Sequence, residues 1–156
     1  LKQPSGNPYL ICYFLHKNLF REEFAIAKKI AKERKLELKV INARFGPNSL
    51  RKGTIFDAGP GEFVNLIANA SYVCTDSFHG TLFSLIFHKH FSCFDTKKNR
   101  HDTRKKGLLE SVGATAAYQN VEDPLKICGT LNYEVIDYRM DEIRKSAAEF
   151  LEILDE

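Results

Sequence analysis

The feature that most constrains this chain is an alternation of short apolar runs with longer helical patterns. The apolar runs predict strands at 9–15, 38–41, 72–74 and 91–94, with a weaker fifth strand at 114–118. Runs without polar alternation are typical of strands covered on both faces. Between them the pattern predicts helices at 20–35, 60–69, 78–88 and 102–112, a short helix from 123, and a long final helix. This alternation predicts an α/β domain with a mainly parallel sheet.

Length and composition favour one soluble globular domain. The chain has 156 residues, of which 44% are hydrophobic and 28% charged, enough to bury a core. No apolar run approaches the roughly 18 residues of a membrane span. A net charge of +3 does not indicate a nucleic-acid partner. The chain begins at Leu1 rather than Met, so we expect residues 1–156 to be one domain excised from a larger protein.

The four cysteines predict a reducing environment and no metal site. They stand at 12, 74, 93 and 128 without a CxxC pair, and three lie in the predicted strands. Buried free thiols explain this pattern, which favours a cytoplasmic protein. No Cys/His pair has the spacing of zinc ligands, so no metal is predicted.

The segment 75–81, Thr-Asp-Ser-Phe-His-Gly-Thr, is the most informative candidate site. Ligands of parallel sheets sit at the carboxyl ends of the strands, where this segment begins. Asp76 or Ser77 can cap the next helix, whose first amides attract anions. Gly80 allows a close approach to the backbone, and His79 can exchange protons near neutral pH. The alternative is a cap followed by a structural histidine.

Three other segments fall at the same predicted edge. The turn containing Gly59, Gly61 and Glu62 could present amides to an anion, although an ordinary turn before a helix is the favoured interpretation. His16 closes the first strand and lies either in the crevice or at the surface. In the basic stretch 97–106 we interpret the lysines as solvated.

Two arginines of that basic stretch are predicted to act differently. Arg100 and Arg104 stand one helical turn apart, which suits a bidentate clamp on a phosphate or carboxylate.

The order of these motifs resembles the C-terminal domain of the polysaccharide pyruvyl transferase family. The core of the resemblance is Ser77-Phe78-His79-Gly80-Thr81. The flanking segments that match are 8–15, 59–70, 72–84, and the closing helix with Lys145-Ser146 and Phe150-Leu151. The family is similar to two-domain GT-B transferases. The resemblance therefore implies a Rossmann-like three-layer domain, the C-terminal donor-binding half of an enzyme whose N-terminal half is absent.

The resemblance implies a transferase of cell-surface polysaccharide synthesis. It would move a pyruvyl group from phosphoenolpyruvate onto two sugar hydroxyls and form a pyruvate ketal, with no cofactor. Its partners would be phosphoenolpyruvate, a glycan or lipid-linked sugar acceptor, and its own N-terminal domain, without which the fragment would be inactive. The expected location is cytoplasmic, including the inner membrane surface. His79 is implied as the catalytic or donor-contacting histidine, and we assign donor phosphate to Ser77, Gly80, Thr81, Arg100 and Arg104.

One departure from the family pattern bears on the donor. Better understood members carry Ser-x-Arg-Leu-His-Gly, and here Ser77 and Phe78 occupy the arginine and leucine positions. Either Arg100 or Arg104 replaces the missing arginine, or the donor differs. Two alternatives therefore stay open: a nucleotide-sugar domain of a GT-B glycosyltransferase, with Glu62 or a loop amide on ribose or base, and a non-catalytic α/β binding module.

Overall fold

The structure is a computed structural model that describes residues 6–15, 20–41, 53–55, 58–95, 103–120 and 129–154. Its strands are β1 (Tyr9–Tyr13), β2 (Glu37–Ile41), β3 (Thr54–Ile55), β4 (Tyr72–Thr75), β5 (Phe91–Asp95) and β6 (Tyr118–Asn120). Its helices are α1 (Phe20–Glu33), α2 (Pro60–Ala68), α3 (Phe78–Ile86), α4 (Thr103–Val112) and α5 (Tyr133–Leu154), with a 3₁₀ turn at Thr115–Ala117.

The six strands form one sheet in the order β3-β2-β1-β4-β5-β6, and every pair is parallel. This is the doubly wound Rossmann order, and the direction of winding reverses between β1 and β4. At that switch point Tyr13 pairs with Thr75, so the two strands end side by side. The predicted α/β, Rossmann-like architecture is confirmed.

Alternate residues of the strands lie on opposite faces of the sheet and are buried in two separate cores, as expected for a sheet covered on both faces. One face packs against α1, and its buried residues include Leu10, Cys12, Phe14, Val40, Tyr72, Cys74 and Phe94. The other packs against residues of α2, α3, α4 and α5, with Ile11, Val73, Leu85, Phe91, Leu109 and Ile136 buried. The three layers leave the carboxyl edge of the sheet as the place where loops and helix N-termini meet.

The structure differs from the sequence-based expectations at three elements. β3 lies inside what was expected to be a connection, and the last strand begins at Tyr118 after a 3₁₀ turn rather than at Ala114. The sequence pattern of the final helix places Val135, Met140, Ile143, Ala147, Phe150 and Leu154 on one apolar face. Met140 does pack against the core, but Val135 and Ile143 are 41% and 46% exposed, and Ile136 is buried instead. The short helix predicted from 123 lies outside the described residues.

The cysteine and membrane predictions can be compared with the described residues. Cys12, Cys74 and Cys93 are buried and form no disulfide, as predicted, whereas Cys128 lies outside the described residues. Within the described ranges, none of the helices is both long enough and apolar enough to span a membrane.

Candidate functional site at the switch point

Side-chain hydrogen bonds tie the ends of β1 and β4 together at the switch point. Asp76 Oδ1 accepts the backbone N–H of Leu15 at 2.7 Å. Thr75 Oγ1 donates to the carbonyl of Tyr13 at 2.7 Å, and accepts the Ser77 amide at 3.1 Å. The chain therefore enters α3 along a fixed path, and the position of the first turn of α3 is set by the sheet.

Of the two residues predicted to cap α3, Asp76 and Ser77, it is Ser77 that forms the N-cap. Its backbone is extended and its Oγ accepts the Gly80 amide at a long 3.5 Å, while its carbonyl accepts the Thr81 amide at 3.0 Å. The first amides of a helix have no acceptor within it. The amides of Phe78 and His79 are therefore the two that α3 presents at the carboxyl edge of the sheet.

Gly80 and Thr81 have internal packing roles in addition to the contacts predicted for them. A Cβ at Gly80 would overlap Thr75 Oγ1 and lie 3.0 Å from Thr75 Cβ, so the close approach at this glycine is made by β4. Thr81 is fully buried and its Oγ1 donates to the Ser77 carbonyl at 2.9 Å, with Cys93 Sγ at 3.2 Å. Contact of Ser77, Gly80 or Thr81 with the phosphate of a donor substrate stays a prediction.

His79 and Arg104 are both exposed, and both contact the ring of Phe78 at the start of α3. His79 is exposed, and its ring meets the Phe78 ring edge-on with centroids 5.9 Å apart. The Arg104 guanidinium lies over the same Phe78 ring, 5.6 Å from its centroid, within cation–π range. The structure thus places an imidazole, a guanidinium and two helix amides at one edge.

Lys105 is not part of a solvated basic face, as the sequence suggested. It is 1% exposed, and its Nζ donates to the Asp76 carbonyl at 2.7 Å and to the Phe94 carbonyl at 2.9 Å. A buried ammonium is stable only when it is hydrogen-bonded. The Asp76 carbonyl follows β4, and the Phe94 carbonyl lies one residue before the end of β5. Lys105 therefore joins α4 to the switch point.

Glu23 is the second charged residue that sequence reasoning missed. It lies in the first turn of α1, is fully buried, and neither carboxyl oxygen has a hydrogen-bond partner within the described part of the chain. Burial, reinforced by the nearby Asp76, raises the pKa of Glu23 to about 8, although Lys105 partly opposes this. Burial of Cys93 in β5 likewise raises the pKa of its thiol to about 11.

The remaining predicted site residues divide into two groups. α2 begins at Pro60 with Gly59 as its N-cap, and Gly61 and Glu62 are exposed in its first turn. Ring contact between Tyr13 and Phe63, at 4.7 Å, places this turn at the same edge as β1's carboxyl end. His16 and Arg100 lie outside the described residues. Among the described residues no group of three or more His, Cys, Asp or Glu is arranged to hold a metal.

The fold and the site define an α/β protein of the Rossmann class with a helix N-terminus, an exposed histidine and an arginine at its switch point. The family model of the polysaccharide pyruvyl transferases matches residues 7–98, more than half of the chain, and the chain belongs to this family. The matched part runs from β1 through β5 and includes the whole 75–81 segment. Comparisons with curated proteins and with solved structures found no match.

Proposed function

We propose that this member of the polysaccharide pyruvyl transferase family transfers a pyruvyl group from phosphoenolpyruvate to two hydroxyls of a sugar acceptor, giving a pyruvate ketal. The observation that carries the proposal is the exposed His79 on the first turn of α3, within the segment that the family model matches. The Arg104 guanidinium lies over the ring of its neighbour Phe78. A helix N-terminus and a guanidinium suit the phosphate and carboxylate of the donor. The acceptor belongs to cell-surface glycan synthesis.

The proposed reaction needs one proton shuttle and fixed anion-binding groups. His79 gives a proton to the methylene carbon of the donor, a sugar hydroxyl oxygen bonds to the adjacent carbon, and that hydroxyl's proton returns to His79. A second hydroxyl then attacks the same carbon, the bond from carbon to the phosphate oxygen breaks, and the proton leaves with phosphate. The amides of Phe78 and His79 and the Arg104 guanidinium would stabilise the phosphate throughout.

The position of Arg104 bears on the arginine of the family pattern that is missing at Ser77. Ser77 stands where the family pattern has arginine, and its side chain is a helix cap. The Arg104 guanidinium lies over the ring of the next residue, Phe78, so a planar cation is present at this edge from another helix. We propose that Arg104 replaces the missing arginine in holding the donor.

Ligand titration separates this proposal from its alternatives. Calorimetry with phosphoenolpyruvate and with a UDP-sugar should give binding of phosphoenolpyruvate, and phosphate release should depend on added glycan acceptor. Binding of the UDP-sugar alone would indicate a glycosyltransferase domain. If neither ligand binds to the full-length protein, the proposal fails in favour of a binding module.

The proposed division of roles has its own test. Arg104→Ala removes one charged contact and should weaken phosphoenolpyruvate binding roughly tenfold to a hundredfold. His79→Ala should abolish turnover and leave donor binding largely intact, because proton transfer is its assigned task. Lys106→Ala is the matched control, since Lys106 is exposed on the same helix and faces Glu110 at 3.7 Å. Equal loss of binding in the His79 and Arg104 variants would contradict the assignment.

A further inference from the structure

Glu23 is a buried carboxyl group to which the site described so far assigns no role. It is fully buried, and neither of its oxygens has a hydrogen-bond partner within the described ranges. Buried polar atoms are rarely left without partners, and such an atom at a site calls for an explanation. Its electrostatic neighbours include Asp76, the residue that precedes the cap of α3.

Among the residues that the structure describes, Glu23 lacks the hydrogen-bond donors that would stabilise its ionised form. Asp76 accepts a backbone N–H from Leu15 at 2.7 Å, whereas Glu23 has no described donor. An ionised carboxylate without hydrogen-bond donors is costly to bury. The N-terminal end of α1 favours the charged form but offsets only part of that cost. Burial and Asp76 together raise the pKa of Glu23 to about 8.

The groups around Glu23 show what its ionisation would change. Among the described residues they are Cys12 of β1, Glu22 of α1, Asp76 before α3, Asp95 of β5 and Lys105 of α4. Ionisation of Glu23 adds one negative charge to this group, so the field at the first turn of α3, which follows Asp76, becomes more negative.

We propose that Glu23, as a neutral carboxylic acid, keeps the N-terminus of α3 able to bind an anion, and that its ionisation weakens that binding. The proposal rests on the proposed function, because it assigns a control to the same donor-phosphate site. Glu23 acts through its own charge, near Asp76 and Lys105, and is a positioning residue rather than a catalytic one. It gives the site a dependence on pH in the neutral to alkaline range.

Sulfate is the probe that tests the proposal, because its charge is constant where phosphate titrates. Its affinity for the full chain is measured between pH 6.5 and 9, for wild type and for Glu23→Gln, which is neutral and nearly the same shape. Wild type should lose about five- to thirtyfold in affinity across this range, the effect of one added charge nearby. Glu23→Gln should stay at the high-affinity value throughout.

Three controls separate this inference from other causes. Glu22→Gln, an exposed neighbour on α1, should behave as wild type. Arg104→Ala should bind sulfate more weakly at every pH with the slope unchanged. Repeating the comparison in a His79→Gln background removes the imidazole as the source of the slope. Circular dichroism establishes that each variant is folded.

The outcomes distinguish the two proposals. An equal slope in wild type and Glu23→Gln overturns the role of Glu23 and leaves the anion site standing. Absence of sulfate binding from every variant overturns the anion site of the proposed function itself. Infrared difference spectra give a readout free of ligand: the C=O stretch of a protonated carboxylic acid should be present at pH 7 in wild type and absent in Glu23→Gln. Its absence from wild type also overturns the role of Glu23.

Discussion

At the scale of single residues, Gly80 shows how packing rather than ligand access can require a glycine. A Cβ there would overlap Thr75 Oγ1 and approach Thr75 Cγ2 to 3.1 Å, and Thr75 holds both Tyr13 and Ser77. Gly80→Ala should therefore lose about 1–3 kcal/mol in the free energy of unfolding. Urea denaturation measures it.

The control for Gly80 is Gly107, in the exposed part of α4. A Cβ at Gly107 meets nothing within 4 Å, and alanine in a helix interior gains about 0.5–1 kcal/mol over glycine. Gly107→Ala should therefore be neutral or stabilising. A Gly80→Ala protein as stable as wild type would mean that Thr75 yields, and that the contact does not constrain this turn.

Glu23 makes the stability of the fold depend on pH in a defined direction. Its pKa is raised from 4.5 to about 8 in the folded chain, so the folded state holds a proton that the unfolded state releases. Its contribution is full below about pH 4.5 and is lost as pH rises toward 8, by up to about 1.4 kcal/mol per pH unit. Glu23→Gln should be more stable than wild type at pH 8, with the difference closing toward pH 5.

Urea unfolding of both proteins at several pH values measures this dependence. The matched control is Glu22→Gln, on the exposed side of the same helix, which should keep the wild-type slope. If Glu23→Gln is less stable than wild type at pH 8, the buried carboxyl has a partner that stabilises its charge.

The two charged residues that the sequence analysis missed left a signal in the helical pattern. Glu23 stands four residues before Ala27 and seven before Ile30, and so lies in the apolar stripe of α1. Lys105 stands in the same relation to Leu109 and Val112 in α4. A charge inside an apolar stripe indicates burial. The partner of each charge depends on which strands meet, however, and that information is not local to either helix.

At the scale of elements, α5 shows that periodicity can place the buried face of a helix partly out of register. The sequence offers two overlapping apolar stripes, and the structure buries the one with Ile136, with Tyr133 and Met140 packed beside it. Ile136→Ala should cost about 2–4 kcal/mol in unfolding free energy. Ile143→Ala, at a side chain 46% exposed, should cost less than about 1 kcal/mol. Thermal or urea denaturation of the two variants compares them, and equal costs would show that α5 has a second packed face.

How well a strand can be predicted from the sequence depends on its length. The central strands β1, β4 and β5 have four or five mostly apolar residues, which sequence patterns predict well. β3 has only two paired residues, Thr54 and Ile55, which lie opposite Val40 and Ile41 of β2. A two-residue strand carries no periodicity of its own, because its extended form depends on the neighbouring strand.

At the scale of the whole molecule, alternation of strands and helices was enough to predict the α/β class and the parallel sheet. It did not specify the strand order, because each apolar run is compatible with several neighbours. The segment at 75–81 could still be chosen as a site, since any parallel sheet gathers the carboxyl ends of its strands at one edge. The switch point lies between β1 and β4, where the direction of winding reverses. Their pairing was needed to locate it.

The three buried thiols give a test of the fold as a unit. Cys12, Cys74 and Cys93 are fully buried in β1, β4 and β5, the centre of the sheet, and burial raises the pKa of Cys12 and Cys93, so little thiolate is available to react. In a Cys128→Ser background, a thiol reagent should label none of the three in the native protein. Labelling should begin only with unfolding, and all three should react at the rate of global unfolding measured in urea, because central strands open together. Fast labelling of one thiol alone would show that its strand opens separately, and a native disulfide would contradict the reduced state.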